Sequence, residues 1–352
     1  MSKKEHVIIF KNDAVGDLTQ SLPAIQNILK NNPHKDVIIY LSERSENFSF
    51  LINGKNINFQ KLNYDLSFFE KIKIIFLIRK LNVSKIFILT PKSFYFILPI
   101  FFRNIKFYGL CLDGPENYKR PSSFFRKFLY KKVINDRSAI FKTKSTIDIQ
   151  KELTNENQIH LDEFDLIPKL KKSDLLKKFL PKKYLYFHIK KKTFDKLGWG
   201  VVELKILFNE FLNYYDHIIF TKDIEKNCAT DIFKNEFSSL NFLNGNFIQK
   251  KDKIILFDHV KGQDLYNTIK YSSKIVAFHG MMTNLGSLEK KSVLDLWYCK
   301  IENWNDYRSY RNAFYEFKPK YLNYDFTIPS KNIRKTISKI KFSIKKNVRN
   351  EQ

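Results

Sequence analysis

Two series of short β-branched runs, each followed by a stretch of helical periodicity, fill the two halves of this 352-residue chain. Such alternation marks βαβ units, because neighbouring parallel strands need a crossover connection that is usually a helix. In the first half, strands are expected near 6–10, 37–41, 85–89 and 105–108. Leu18, Leu22, Ile25, Ile28 and Leu29 recur at helical spacing, and 64–80 reads as a second amphipathic helix. In the second half, strands are expected near 184–189, 217–221, 253–257, 274–278 and 292–297, with helices near 201–214, 223–235, 263–271 and 281–289. The intervening 155–182, polar, Lys-rich and punctuated by Pro168 and Pro181, reads as a linker.

These runs imply an α/β chain of two Rossmann-like domains facing across a cleft, with sites at the C-terminal ends of the strands. The expected boundaries are 1–165 for the N-terminal domain, 175–328 for the C-terminal domain, and 329–352 for a basic amphipathic helix and tail. In that tail Ile333, Ile337, Ile340 and Ile344 make one apolar stripe. Docking on the body is its ordinary reading, and a membrane-surface helix is the alternative.

Charge matters next, because 62 Lys and Arg stand against 36 Asp and Glu, a net +26. An excess of this size suits nucleic acid, an anionic membrane face or an anionic substrate. The abundance of Lys, Asn, Ile and Phe, with few Ala and Gly, is also what an AT-rich coding sequence produces. No helix-turn-helix, zinc-finger or RNP-type pattern is present, so nucleic acid is not an expected partner. Neither Val7–Phe10 nor Phe94–Phe102, interrupted by Pro99, approaches the roughly 20 apolar residues of a membrane span. A soluble cytoplasmic protein, or one peripheral on the inner face of the cytoplasmic membrane, is expected. Cys111, Cys228 and Cys299 are odd in number and widely spaced, which fits buried small residues rather than a disulfide framework or zinc site. Without a Walker loop, a Gly-x-Gly-x-x-Gly, an Asp-x-Asp pair or a metal-spaced His/Cys cluster, no metal and no cofactor is expected.

Two segments can carry chemistry. In the first, Phe10-Lys-Asn-Asp-Ala-Val-Gly-Asp17, a buried strand ends, Gly16 permits a tight turn, and Asp17 stands at the start of a helix. Asp17 or Thr19 as an N-cap is the ordinary alternative. A carboxylate at the mouth of a cleft is also placed to take a proton from a hydroxyl. In the second, Lys274 to Trp297, a strand runs through His279-Gly280 into a helix carrying Thr283 and Asn284 and then into another strand. Amides at that helix start suit a phosphate, while His279 as a satisfied core or capping residue is the alternative.

The run Val7-Ile-Ile-Phe-Lys11, then Gly16-Asp17 and Leu22-Pro23-Ala24, resembles glycosyltransferase family 9, the bacterial heptosyltransferase-like family of lipopolysaccharide synthesis. Ile86 to Lys92, Arg103 to Gly109, Tyr184 to His188 with Lys196 and Trp199, and Ile218 to Thr221 continue the likeness in order. The resemblance implies the GT-B fold and an inverting, metal-independent glycosyltransferase. A nucleotide-diphosphate sugar would be the co-substrate, and a lipopolysaccharide-core or other lipid-linked or surface glycan the acceptor.

By the same resemblance Asp17 is the general base and Asp13 a turn residue, and Lys11 and Lys92 face the acceptor. Lys196 meets the donor diphosphate, with Lys190, Lys191 and Lys192 as rivals. Glu225 lies near the ribose, with Asp223 as a rival, and His279, Gly280, Thr283 and Asn284 form the donor loop. That loop departs from the family: His279 stands where Asp is expected, Gly280 for Thr and Asn284 for His. A non-catalytic sugar-nucleotide or glycan-binding protein on the same scaffold is the alternative reading. Gly262 to Leu265 is similar to the helix flanking the base, and Trp304, Asp306, Tyr307, Arg308 and Arg311 form an aromatic, charged cluster without a family motif.

Overall fold

The computed structural model describes residues 4–114, 118–137, 144–155, 170, 180–222, 241–243, 248–251, 253–257, 260, 262–300, 302, 304–317 and 324–348. The chain divides into two compact units, Met1–Lys169 with Ile301–Lys318, and Leu170–Lys300 with Pro319–Gln352.

The first unit is built on strands β1 (His6–Lys11), β2 (Asp36–Ser42), β3 (Ile57–Leu62), β4 (Val83–Ile88), β5 (Lys106–Asp113), β6 (Lys119–Arg120) and β7 (Lys131–Asp136). Their order is β3-β2-β1-β4-β5-β6, with β7 also pairing β5, and every pair is parallel except β5–β6. Helix α1 (Val15–Lys30) buries Leu18, Leu22, Ile25 and Ile28, the stripe its spacing predicts. Helix α2 (Phe68–Lys80) starts at a capping box in which Ser67 and Glu70 satisfy each other's backbone amides. Its Ile74 and Ile78 pack with Ile8, Phe10, Ile86, Ile88, Tyr95 and Leu98 into one cluster. Helix α3 (Thr146–Thr154) closes the series.

The second unit holds β8 (Leu185–Ile189), β9 (Ile218–Lys222), β10 (Asn241–Leu243), β11 (Ile248–Lys251), β12 (Ile254–Phe257), β13 (Lys274–Phe278), β14 (Ser292–Leu296) and β15 (Tyr324–Thr327). Their order is β10-β11-β12-β9-β8-β13-β14-β15, parallel from β12 to β15 and antiparallel across β10, β11 and β12. Its helices are α4 (Lys191–Leu197), α5 (Val201–Leu212), α6 (Gly262–Lys270) and α7 (Met281–Leu288). Gly286 lets α7 lie close on the sheet, since a Cβ there would collide with Ile275 of β13.

Two expected boundaries shift. Helix α8 (Trp304–Phe317), expected within 175–328, belongs to the first unit. The anchor is Glu316: its buried Oε1 accepts from Asn135 Nδ2 at 3.0 Å and Arg137 Nε at 3.1 Å, just where β7 ends. Helix α9 (Ile333–Val348) docks on the second unit's core, the ordinary reading of its stripe, so that 329–352 is part of that unit and not a separate region. Ile333, Ile337 and Ile340 join Leu204, Leu207 and Leu294 there. At roughly 2 kcal/mol for each buried isoleucine, that stripe is spent on the body. The short strands at sheet margins, β3, β6, β7, β10, β11 and β15, were not expected, while the expected helix at 223–235 lies outside the described residues. No helix among the described residues is long and apolar enough to cross a membrane.

Candidate functional site

In the first unit, connections from β1 and β4 leave in opposite directions around the β2-β1-β4 order, so a crevice opens at the C-terminal ends of these strands. Lys11, the last residue of β1, is only 2% exposed. A buried ammonium needs a partner, and Asp13 Oδ2 sits 2.7 Å from Lys11 Nζ. Thr90 Oγ1 donates to the same oxygen at 2.9 Å, and Ser42 Oγ donates to Asp13 O at 2.6 Å. Asn12 is fixed as firmly, donating to Asn63 O and accepting from the buried Tyr95 hydroxyl at 2.7 Å. Burial pushes the Asp13 carboxyl above the ordinary range, Lys11 opposes that shift, and the nearby Asp17 charge adds to it. Asp13 is thus in the turn, as expected, and is also the anchor that holds the loop.

Asp17 differs in every respect. It occupies the first turn of α1, where the helix dipole favours an anion, and it is half-buried. Its carboxylate has no hydrogen-bond or ion-pair partner among the described residues. The capping alternative fails, because Ala14 is the N-cap and Thr19 Oγ1 donates to Gly16 O. Gly16 is no turn residue either: it lies inside α1 and is not among the positive-φ glycines. Lys92 leans over the Tyr64 ring, 4.6 Å from its centroid, beside Arg44 at 4.2 Å, and donates to Asn12 O. Partial burial lowers its pKa, and the carboxylates of Asp65, Asp13 and Glu43 oppose that. Of the two lysines expected to face an acceptor, Lys11 is consumed by Asp13 and Lys92 is the more open.

In the second unit the corresponding crevice lies between β8 and β13. His279 follows β13, and its Nδ1 is 2.6 Å from Oδ2 of Asp295, a fully buried carboxylate on β14. Its ring stacks on Trp297, centroids 3.5 Å apart. A hydrogen bond from Nδ1 to a carboxylate leaves Nε2 as the ring's free nitrogen. Gly280, at φ 158°, is the N-cap of α7 in a conformation that L side chains rarely adopt. Thr283 Oγ1 and Asn284 Nδ2 both donate to Gly280 O, at 2.8 and 3.0 Å, and both side chains are buried. Their polar groups therefore shape the loop. Lys190, at the end of β8, donates to His279 O at 3.1 Å.

The structure distinguishes the rival lysines. Residues expected to form a basic loop make α4 instead, which leaves Lys196 exposed in its last turn and ties Lys191 to Asp195 at 2.6 Å. Lys190 is the cation at the start of α7. Beneath it, Tyr186, Thr221, Met282 and the largely buried His188 share hydrogen bonds. Glu225, Asp223 and Cys228 lie outside the described residues. Cys111 is buried, its thiol pushed up to about 11 by burial, so it is a poor nucleophile. Trp304 and Tyr307 form an exposed aromatic pair on α8. Among the described residues no group of three His, Cys, Asp or Glu is placed to hold a metal ion.

Asp295 and Trp297 escaped the sequence reading although a signal existed. A carboxylate in the middle of Val293-Leu-Asp-Leu-Trp297 breaks an apolar strand and demands a buried partner.

No protein-family model and no curated protein sequence matches the chain. Among solved structures, the ADP-heptose LPS heptosyltransferase II of E. coli superposes with a TM-score of 0.66 at 10% identity, over 99% of this chain and 100% of its own. A glycosyl transferase family 9 protein from Veillonella parvula gives 0.64 at 12% identity, over 97% and 92%. The UDP-GlcNAc 2-epimerase of Methanocaldococcus jannaschii gives 0.53 at 14%, over 97% and 92%. The fold is therefore GT-B, a scaffold that these proteins share across different chemistries.

Proposed function

We propose that this chain is an inverting, metal-independent glycosyltransferase that moves a sugar from a nucleotide-diphosphate sugar to a lipopolysaccharide-core or other lipid-linked surface glycan. The observation that carries the reading is the meeting of Lys190, His279 and the glycine-capped start of α7 at the C-terminal end of the second unit's sheet. A diphosphate taken from water needs cations and amide donors together, and both are present at this one point. The carboxylate of Asp17 in the first unit, without a partner among the described residues, supports transfer over mere binding, because an acceptor hydroxyl needs a base. The likeness to the solved heptosyltransferases is one of fold, and the residues Lys11, Gly16-Asp17 and Leu22-Pro23-Ala24, which resemble family 9, support the same reading.

In the proposed step the acceptor oxygen attacks the anomeric carbon as its proton passes to the Asp17 carboxylate. The bond from that carbon to the diphosphate oxygen breaks, and the configuration inverts. Lys190, His279 and the first amides of α7 take up the charge that collects on the leaving diphosphate. The acceptor's lipid places the enzyme at the inner face of the cytoplasmic membrane. Lys92 and Arg44, with the Tyr64 ring, would meet acidic groups of the acceptor.

The test is a thermal-shift screen against ADP, GDP, UDP and CMP and their sugar conjugates, with EDTA present, followed by a transfer assay on the stabilising donor. A shift with one nucleotide class and sugar transfer lost in Asp17→Asn are expected. A shift without transfer on any lipid-linked acceptor would favour the binding-protein reading. Turnover of UDP-GlcNAc without acceptor would favour epimerase chemistry.

A further inference from the structure

Helix α2 is apolar on two opposite faces, and its core-facing side accounts for only one of them. At 100° per residue, Ile74 and Ile78 mark the buried side, 1% and 3% exposed. Diametrically opposite stand Phe69 and Phe76, seven residues apart on one stripe, 80% and 64% exposed. Phe68, 69% exposed, meets Phe69 edge to face. Beside this stripe lie the exposed Lys73, Arg79 and Lys80. The one acidic residue of the helix, Glu70, is turned to its own N-terminus, where it accepts from the amides of Asn63 and Ser67.

Large aromatics in water are unfavourable, and several on one stripe mark a surface meant to be covered. Aromatics flanked by cations are the combination that seats in a lipid headgroup layer, with rings at the acyl boundary and Lys and Arg at the phosphates. Charge decides among occupants. A second copy would set three cations against three cations on a chain of net charge +26, whereas an anionic bilayer complements them. The other amphipathic basic helix, α9, is not free for this role, since Ile333, Ile337 and Ile340 are buried in the second unit.

We infer that the outer face of α2, centred on Phe69 and Phe76, docks the first unit on an anionic lipid bilayer. The inference deepens the proposed function by naming the surface that brings a lipid-linked acceptor to this unit. It is read by lipid binding alone, so a failure of docking and a failure of transfer are separately visible.

The experiment is co-sedimentation of the full chain with vesicles of phosphatidylcholine alone and with 30% phosphatidylglycerol. Three variants are compared: Phe69→Ser with Phe76→Ser, Lys73→Glu with Lys80→Glu, and a control Arg334→Glu with Lys335→Glu on the exposed side of α9. Melting temperature checks the fold of each, and because the altered side chains are exposed it should hold within a few degrees. Tenfold or greater preference for the anionic vesicles is expected, weakening as salt is raised. Each α2 variant should lose about tenfold, while the α9 control, which changes net charge by the same amount as the lysine variant, should lose much less. Equal loss in the control, unaltered binding in the aromatic variant, or no preference for anionic vesicles at low salt would overturn the inference. So would a concentration-dependent dimer that only the α2 variants abolish.

Discussion

The two crevices use the same architectural position for opposite electrostatic ends. In the first unit's crevice the buried charge is balanced within the loop: Lys11 and Asp13 neutralise each other, Thr90 and Ser42 fix them, and Asp17 has no partner among the described residues. In the second unit's crevice the buried charge is the Asp295 carboxylate, which orients His279. Lys190 and the α7 amides then add positive character around a loop whose own polar side chains are occupied. A balanced interior that exposes one anion suits proton acceptance. An interior carboxylate that holds out an imidazole suits an anion. The comparison predicts that substitutions in the two crevices fail differently.

Asp17→Asn is the sharpest break. Losing a positioned base costs about 10²–10⁴ in rate. Transfer should fall by about that factor while nucleotide binding and melting temperature stay unchanged, because the side chain has no partner among the described residues to lose. A comparable loss of nucleotide affinity would erase the division of labour between the units.

Asp13→Ala should behave in the reverse way. It leaves the Lys11 ammonium buried and unpaired, a defect that costs about 3–5 kcal/mol of folding stability. Urea unfolding with an unchanged m value measures it, and Lys11→Met in the same chain should recover part of the loss. If Asp13→Ala unfolds like the unaltered chain, Asp13 is no anchor, and the first crevice is not balanced in the way described.

Asp295→Asn is expected to have a smaller effect, about tenfold weaker binding of the stabilising nucleotide, because His279 keeps its stacking on Trp297 while its ring loses the charged acceptor at Nδ1. Fold and binding can be separated by the ¹⁵N signals of the His279 ring, which report the proton on Nδ1 directly. Unchanged ring signals in Asp295→Asn would show that the carboxylate does not set the tautomer.

The course of the chain was largely legible because parallel strands are buried on both faces and so write continuous apolar runs, as at Val7–Phe10 and Ile275–Phe278. Edge strands such as β3 do not. Ile57-Asn-Phe-Gln-Lys-Leu62 alternates with polar residues and carries no such run. The return of α8 to the first unit was equally hidden, since a tie that holds it, Glu316, meets partners some 180 residues away. Among the candidate residues, the positions of Asp17 in the first turn of α1 and of His279 just after β13 were legible because local motif and chain direction place them. That Lys190 and not Lys196 lies against His279 was not legible, because it depended on residues 191–197 closing into a helix. Asp295 was invisible as a partner until β13 and β14 lay side by side with Ala277 opposite Asp295.

The smallest effect is read in alkali and tests how dry the first crevice is. Tyr40, on β2 and stacked on Phe10, is buried, and burial pushes its phenol up to about 12 from an ordinary value near 10. Between those values the unfolded chain gives up this proton while the folded chain keeps it. The folded state then binds more protons, and stability falls as pH rises. Two units correspond to at most about 2.7 kcal/mol, reached only near pH 12 and absent below about pH 9. Tyr40→Phe should therefore match the unaltered chain at pH 7 to within about 1 kcal/mol and exceed it in stability above pH 11, as read by urea midpoints across that range. Cys111, pushed up to about 11, and the phenols of Tyr95, Tyr184 and Tyr186, which burial also raises, leave a residual alkaline slope in the variant. Parallel curves for the two proteins at all pH values would mean that water reaches the Tyr40 hydroxyl. The interior behind Asp13 would then be wetter than the Lys11–Asp13 pairing requires.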